Sequence, residues 1–194
     1  MKLEDRGSDL PESVIIVGKS FSIRDKCDYR IIKKCIRALK DSELDEETAV
    51  KCAAIIFYED YSNITDFSEA VKQMYSVIGC ENQYKSEYIG LASEENELQL
   101  MDWDYDWDIL APALSRVLGY DVRTSGKYTH WWSLVGAYME IGECTFRDVV
   151  SIRQKLRSGK PLESYERKFY NENRETVDLP LNLSAEEREF LENG

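Results

Sequence analysis

His130 is the only histidine of the chain, and it stands directly before Trp131 and Trp132, two of the four tryptophans. An imidazole can act as a general base near neutral pH. No serine, cysteine or carboxylate lies at motif spacing to complete such a centre. His130 therefore reads as a core or interface residue, whereas a catalytic role would require a polar cleft around its ring. Neighbouring positions on a helix point about 100° apart, so one tryptophan is expected to be buried and the other to lie at a helix seam. Arg153, in Ser151-Ile152-Arg153, follows an apolar run and is expected to pair with a buried carboxylate such as Asp106.

Two further patterns look like ligand motifs and fail on inspection. Gly18-Lys19-Ser20 resembles the end of a phosphate-binding loop, but that motif needs a glycine where Ser13 stands, and an apolar strand runs straight into Gly18. Asp102, Asp104, Asp106 and Asp108 alternate as in a calcium loop, yet Trp107 and Ala113 occupy the positions that require glycine and glutamate. An acidic helix start, where carboxylates meet the positive end of the dipole, fits that run better. Zinc spacing and a dinucleotide fingerprint are missing from the sequence as well. No catalytic residue, metal or cofactor is expected. The structural or partner-binding candidates are Asp102, Trp103, Asp106, His130, Trp131, Trp132 and Arg153.

The elements that must position these residues are mainly helical. The chain has 194 residues, 43% of them hydrophobic and 32% charged, which suits one folded domain. A net charge of -12 disfavours a nucleic-acid partner. Five cysteines without a C-x-x-C pair, and a polar start, predict free thiols in a reducing cytoplasm. No apolar run approaches the ~20 residues of a membrane span. Residues 1–12 form a polar lead. Val14 to Val17, a Gly18-Lys19 turn and Ser20 to Arg24 predict a β-hairpin.

Helices are then expected through Tyr29–Leu39, Asp45–Tyr58 and, after an Asp66-x-x-Glu69 start, to Ile78. Residues 81–108 carry nine carboxylates against Lys85, or -8 of the total charge. Their first part, about 81–101, reads as an exposed acidic interruption. Further helices are expected from Ile109 to Leu118 with a kink or a start at Pro112, from His130 to Met139, and from a Thr145-x-x-Asp148 start onward. A weaker helical pattern covers 162–176. Residues 177–194 read as an acidic tail, with a short turn at 184–187. The expected architecture is a mainly α single domain with a small N-terminal β-hairpin.

The order Leu10-Pro11-x-x-Val14, the Gly18 hairpin, Asp102-Trp103-x-x-Asp106, Gly119-Tyr120-Asp121-Val122, His130-Trp131-Trp132 and Ser151-Ile152-Arg153 resembles the bacteriophage gene-product-fifteen family. The resemblance covers about residues 10–175 and is most specific in the tryptophan block. Trp103 stands where that family usually has phenylalanine, Pro112 enters a helix, and 177–194 extend beyond the pattern. Such genes lie beside the tape-measure gene of long-tailed phages and prophages. The resemblance thus implies a non-enzymatic tail-assembly chaperone acting in the host cytoplasm. Its partner would be the tape-measure protein, together with other tail-assembly chaperone subunits, with neither nucleic acid nor membrane involved. A tail protein retained in the virion, or an acidic DNA mimic that inhibits a host enzyme, are the alternatives.

Overall fold

A computed structural model describes residues 10–80 and 100–180. The described chain is mainly helical with one two-stranded hairpin at its N-terminal end. Strand β1 (Ser13–Ile16) pairs antiparallel with β2 (Lys19–Ser22), with Val14 opposite Phe21. Val14, Ile16 and Phe21 point into the core, while Ile15 and Val17 face outward. The turn sits one residue earlier than the sequence suggests, at Val17-Gly18, where φ is +48° and +75°. A two-residue hairpin turn twisted to match its strands needs φ > 0 at both positions. Gly18 takes that conformation without strain, whereas Val17 must be held in it by the pairing.

A tight left-handed turn at Arg24–Cys27 leads into α1 (Tyr29–Leu39), which Asp28 caps by accepting the Arg30 N–H. Helix α2 (Glu46–Phe57) is capped by Asp45, and α3 (Phe67–Ile78) by Asp66. Helices α1 and α2 lie side by side, with small residues such as Ala53 at the contact, where the Cys35 thiol reaches the Ala53 carbonyl at 3.5 Å. Arg24 closes the far end of α2: its guanidinium donates to the carbonyls of Ile55, Ile56 and Tyr58 at 3.0, 2.8 and 2.6 Å. A cation there satisfies carbonyls that the helix cannot pair and complements the negative end of its dipole.

Helix α4 (Trp107–Leu118) starts well before Pro112 and runs through it. Pro112 and Asp108, whose carbonyl loses its usual N–H partner, are both exposed, so water can replace the missing bond. Helix α5 (Trp131–Met139) is followed by α6 (Thr145–Arg157), α7 (Ser164–Glu172) and the single turn α8 (Arg174–Val177). His130 is not inside α5 but stands at its cap. Thr145 is the first residue of α6, whose cap is Cys144. The weak pattern at 162–176 resolves into α7 and α8, and α7 opens with a Glu163–Glu166 capping box.

Two segment boundaries also move. Leu100 and Met101, which the sequence places in the acidic interruption, are buried, as is Val177 at the start of the expected tail. Residues 81–99 and the turn expected at 184–187 lie outside the described residues. One main core takes in residues from β1 to Phe146, and a second cluster joins Val149, Ile152 and Val177. Among the described residues no helix is long and apolar enough to cross a membrane.

Candidate functional site

The residues singled out by the sequence converge on the middle of the fold, in two connected groups. The first is aromatic. Trp131 is fully buried, with its ring 5.0 Å from Trp103 in an edge-on arrangement, and Tyr138 and Phe146 continue the chain of contacts. Trp132 lies at a seam and is half-buried. Both indole N–H groups face the same target. Trp131 donates to the Ile78 carbonyl and Trp132 to the Val77 carbonyl, each at 2.8 Å. These carbonyls lie in the last turn of α3, where the helical hydrogen-bond ladder runs out. The paired tryptophans of one helix therefore terminate another.

His130 sits at the start of α5 with its ring almost wholly covered. Its Nδ1 accepts the Trp132 N–H at 3.1 Å, and its Nε2 lies 3.1 Å from the Pro11 carbonyl. Because Nδ1 accepts, the neutral ring carries its proton on Nε2 and donates it to Pro11. Both nitrogens are thus committed to backbone, and the ring ties the N-terminal lead to α5. Burial holds His130 below its ordinary pKa, although the Pro11 contact and the charges of Glu12 and Asp28 oppose this. Beside it, the Asp28 carboxylate accepts from the Arg30 guanidinium at 2.7 and 2.8 Å and from the Thr129 N–H at 3.2 Å. Desolvation pushes that carboxyl up, but the Arg30 side chain and the two N–H groups outweigh it and hold it low.

The second group is ionic. Asp102 and Asp104 do not favour a helix dipole but clasp the basic face of α1. Lys40 reaches Asp102 at 3.1 Å, and Arg37 grips Asp104 through two bonds of 2.8 and 2.9 Å. Lys33 also reaches Asp104 and lies 3.7 Å over the Trp107 ring. For both aspartates desolvation acts upward, but the facing cations bring the carboxyls below their usual range.

Asp106 turns the other way. It occupies the cap position of α4 without capping it, and it meets Arg153 through bonds of 2.7 and 2.8 Å with both side chains buried. Arg153 also donates to the carbonyls of Leu100, Thr176 and Val177, at 2.9, 2.9 and 2.6 Å. A guanidinium has five N–H donors, and here every one is used. Asp106 in turn accepts the Asp102 N–H at 2.8 Å.

The cysteines are all unbridged, and burial pushes Cys27 and Cys35 up to about 12, which keeps them as inert thiols. His130, Asp102, Asp104, Asp106 and Arg153 are all engaged in holding the fold together.

Among the described residues the surface recesses include three of a few hundred Å³, besides a smaller one of about 80 Å³ beside Ile152 and Phe169. A notch of about 280 Å³ is lined by Arg37, Lys40, Asp102 and Asp104, whose charges already pair with one another. A shallow basin of about 550 Å³ beside β2 has a mixed polar lining that includes Lys19, Glu59 and Asp60. The third, of about 410 Å³, is an open trough between α2 and α3, with Val50, Phe67 and Val71 on its walls and Glu46 and Glu47 on its rim.

The trough was not among the sequence candidates. Residues 41–70 hold nine carboxylates against the single Lys51, the same count that drew attention to 81–108. Phe67, Val71 and Tyr75 recur at a spacing of four, more apolar surface than α3 spends inward. Those two signals together could have found it. The chain matches no protein-family model, no curated protein and no solved structure.

Two outcomes follow from this geometry. Replacing Arg153 or Asp106 by alanine should cost about 3–5 kcal/mol, because each leaves a buried charge alone. The combined Arg153→Met, Asp106→Leu variant should keep much of that loss, since the Leu100, Thr176 and Val177 carbonyls stay buried without donors. Urea denaturation measures both, and a double variant as stable as the parent would contradict the assignment.

For His130, the folded protein favours the neutral ring, so its contribution is present above the unfolded value of about 6.5. It should be lost as pH falls through the depressed folded value, where an Nδ1 proton would face the Trp132 N–H. Melting temperature should therefore drop as pH falls below about 6.5, and His130→Asn, a cap that does not titrate, should flatten that drop. An unchanged slope would show that the ring is not the group responsible.

Proposed function

We propose that this protein is a non-enzymatic tail-assembly chaperone that binds the tape-measure protein and keeps it soluble in the host cytoplasm while the tail forms. The observation that carries the reading is the α2–α3 trough, an open apolar surface set within the acidic 41–70 stretch. A holding protein needs apolar area for its client and a self-repelling surface to stay dispersed, and the trough with its surroundings supplies both. His130, Asp106 and Arg153 support the same reading because their polar atoms are engaged in holding segments together. The likeness of the tryptophan block to the gene-product-fifteen family supplies the client's identity.

The test is co-expression with the tape-measure protein of the same phage, followed by a pull-down across a salt series. The tape-measure protein should become soluble and co-purify. Raising salt to ~1 M, where the Debye length is about 3 Å, should weaken the complex only modestly, because apolar contacts dominate. A client that stays insoluble would overturn the proposal. Steep dissociation of a basic host enzyme under the same salt would favour a DNA mimic, and recovery of the chain from purified virions would favour a tail structural protein.

A further inference from the structure

We infer that the trough between α2 and α3 is a helix-docking groove selective for an amphipathic helix flanked by lysine or arginine. This rests on the chaperone reading for the identity of the client but not for the chemistry of the groove. The walls are apolar: Val50 comes from α2, Phe67 and Val71 from α3, and Tyr75, 42% exposed, stands one turn beyond Val71. Residues 67, 71 and 75 fall at successive steps of four, so they form one continuous ridge along α3, the kind of ridge against which a third helix packs.

The occupant should be a helix rather than a strand. The walls are themselves helices, whose backbone N–H and C=O groups bond within their own turns. They therefore offer an incoming chain no backbone partners, and only an occupant that satisfies its own backbone can lie there without loss.

Charge sets the polarity of the partner. Among the described residues, the charged side chains of the lining are Glu46 and Glu47. Glu47 holds Lys51 at 2.5 Å on an exposed edge, while Glu46 has no ion-pair partner among the described residues. The 41–70 stretch as a whole holds nine carboxylates, Glu46 and Glu47 among them, against Lys51, and Lys72, next to Val71, is paired with Glu69 at 3.9 Å. An acidic helix would meet repulsion along its whole length, whereas a basic one gains steering and orientation from the rim and affinity from the apolar walls.

The probes are two synthetic peptides of ~18 residues with leucines on one face at helical spacing. One carries lysines beside that face and its twin carries glutamates there. By calorimetry the lysine peptide should bind and the glutamate twin should bind at least tenfold more weakly. Val71→Asp should abolish binding. Glu46→Lys with Glu47→Lys, two exposed changes that leave the fold intact by circular dichroism, should weaken the lysine peptide at least tenfold and reverse the preference. Equal binding of both peptides, binding of neither, or a charge-reversed variant with unchanged preference would overturn the inference. The same charge-reversed variant, co-expressed with the tape-measure protein, separates the two claims. If the parent solubilises the client and the variant does so equally well, the groove assignment falls while the chaperone reading stands. If no client complex forms while the peptides behave as described, the chaperone reading falls and the groove stands.

Discussion

A buried arginine with all five donors occupied is the constraint on which the C-terminal half of this molecule depends. Taking a guanidinium and a carboxylate out of water costs several kcal/mol per ion, and their attraction repays that only if the remaining donors and acceptors are also satisfied. Arg153 meets this condition by recruiting Asp106 and three carbonyls from two separate stretches of chain, at Leu100 and at Thr176-Val177. The residues entering α4 and the turn after α7 are thereby fixed against α6. Tyr105, which donates to the carbonyls of Glu175 and Asp178, holds the same seam from outside. The burial of Val177 against Val149 and Ile152 follows from that anchoring.

The N-terminal half is joined to it by a similar economy of polar atoms. Trp131 and Trp132 fill the core and also finish α3, His130 starts α5 and holds Pro11, and Asp28 starts α1 and holds Thr129. The histidine beside two tryptophans reads in the sequence as a core or interface block. In the fold it is a junction where side chains tie the end of α3, the Pro11 lead and the start of α5 together, beside the backbone bridge between Asp28 and His130.

Most helices were legible because their starts are written in local chemistry. A helix begins at Asp45 as the pattern suggests, Asp66 caps the next as expected, and the Arg153–Asp106 pairing was foreseeable from an arginine that follows an apolar run. The errors have physical causes. The hairpin turn moved because the requirement for two positive φ angles outweighed the β-preference of Val17. Thr145 lost its capping role because the chain was already helical at that position, and Pro112 was tolerated because its side of α4 faces solvent. The targets of the indole N–H groups were not legible at all, since Val77 and Ile78 lie more than fifty residues away and present only carbonyls. The trough left a partial trace in the spacing of Phe67, Val71 and Tyr75 and in the acidic 41–70 stretch, but how α2 and α3 pair to form its two walls is not written in either segment.

The proposed function therefore rests on a surface: an apolar trough with Glu46 and Glu47 on its rim, carried by a body in which His130, Asp106 and Arg153 are engaged in holding segments together. The most direct measurement of this account is amide hydrogen exchange on the protein alone and in the presence of the tape-measure protein proposed as its client. Protection should rise along α2 and α3 around residues 46–54 and 67–75, while α5 and the Arg153 seam, closed in both states, stay unchanged. Protection that appears instead around His130 and α5, with α2 and α3 unaltered, would contradict the account.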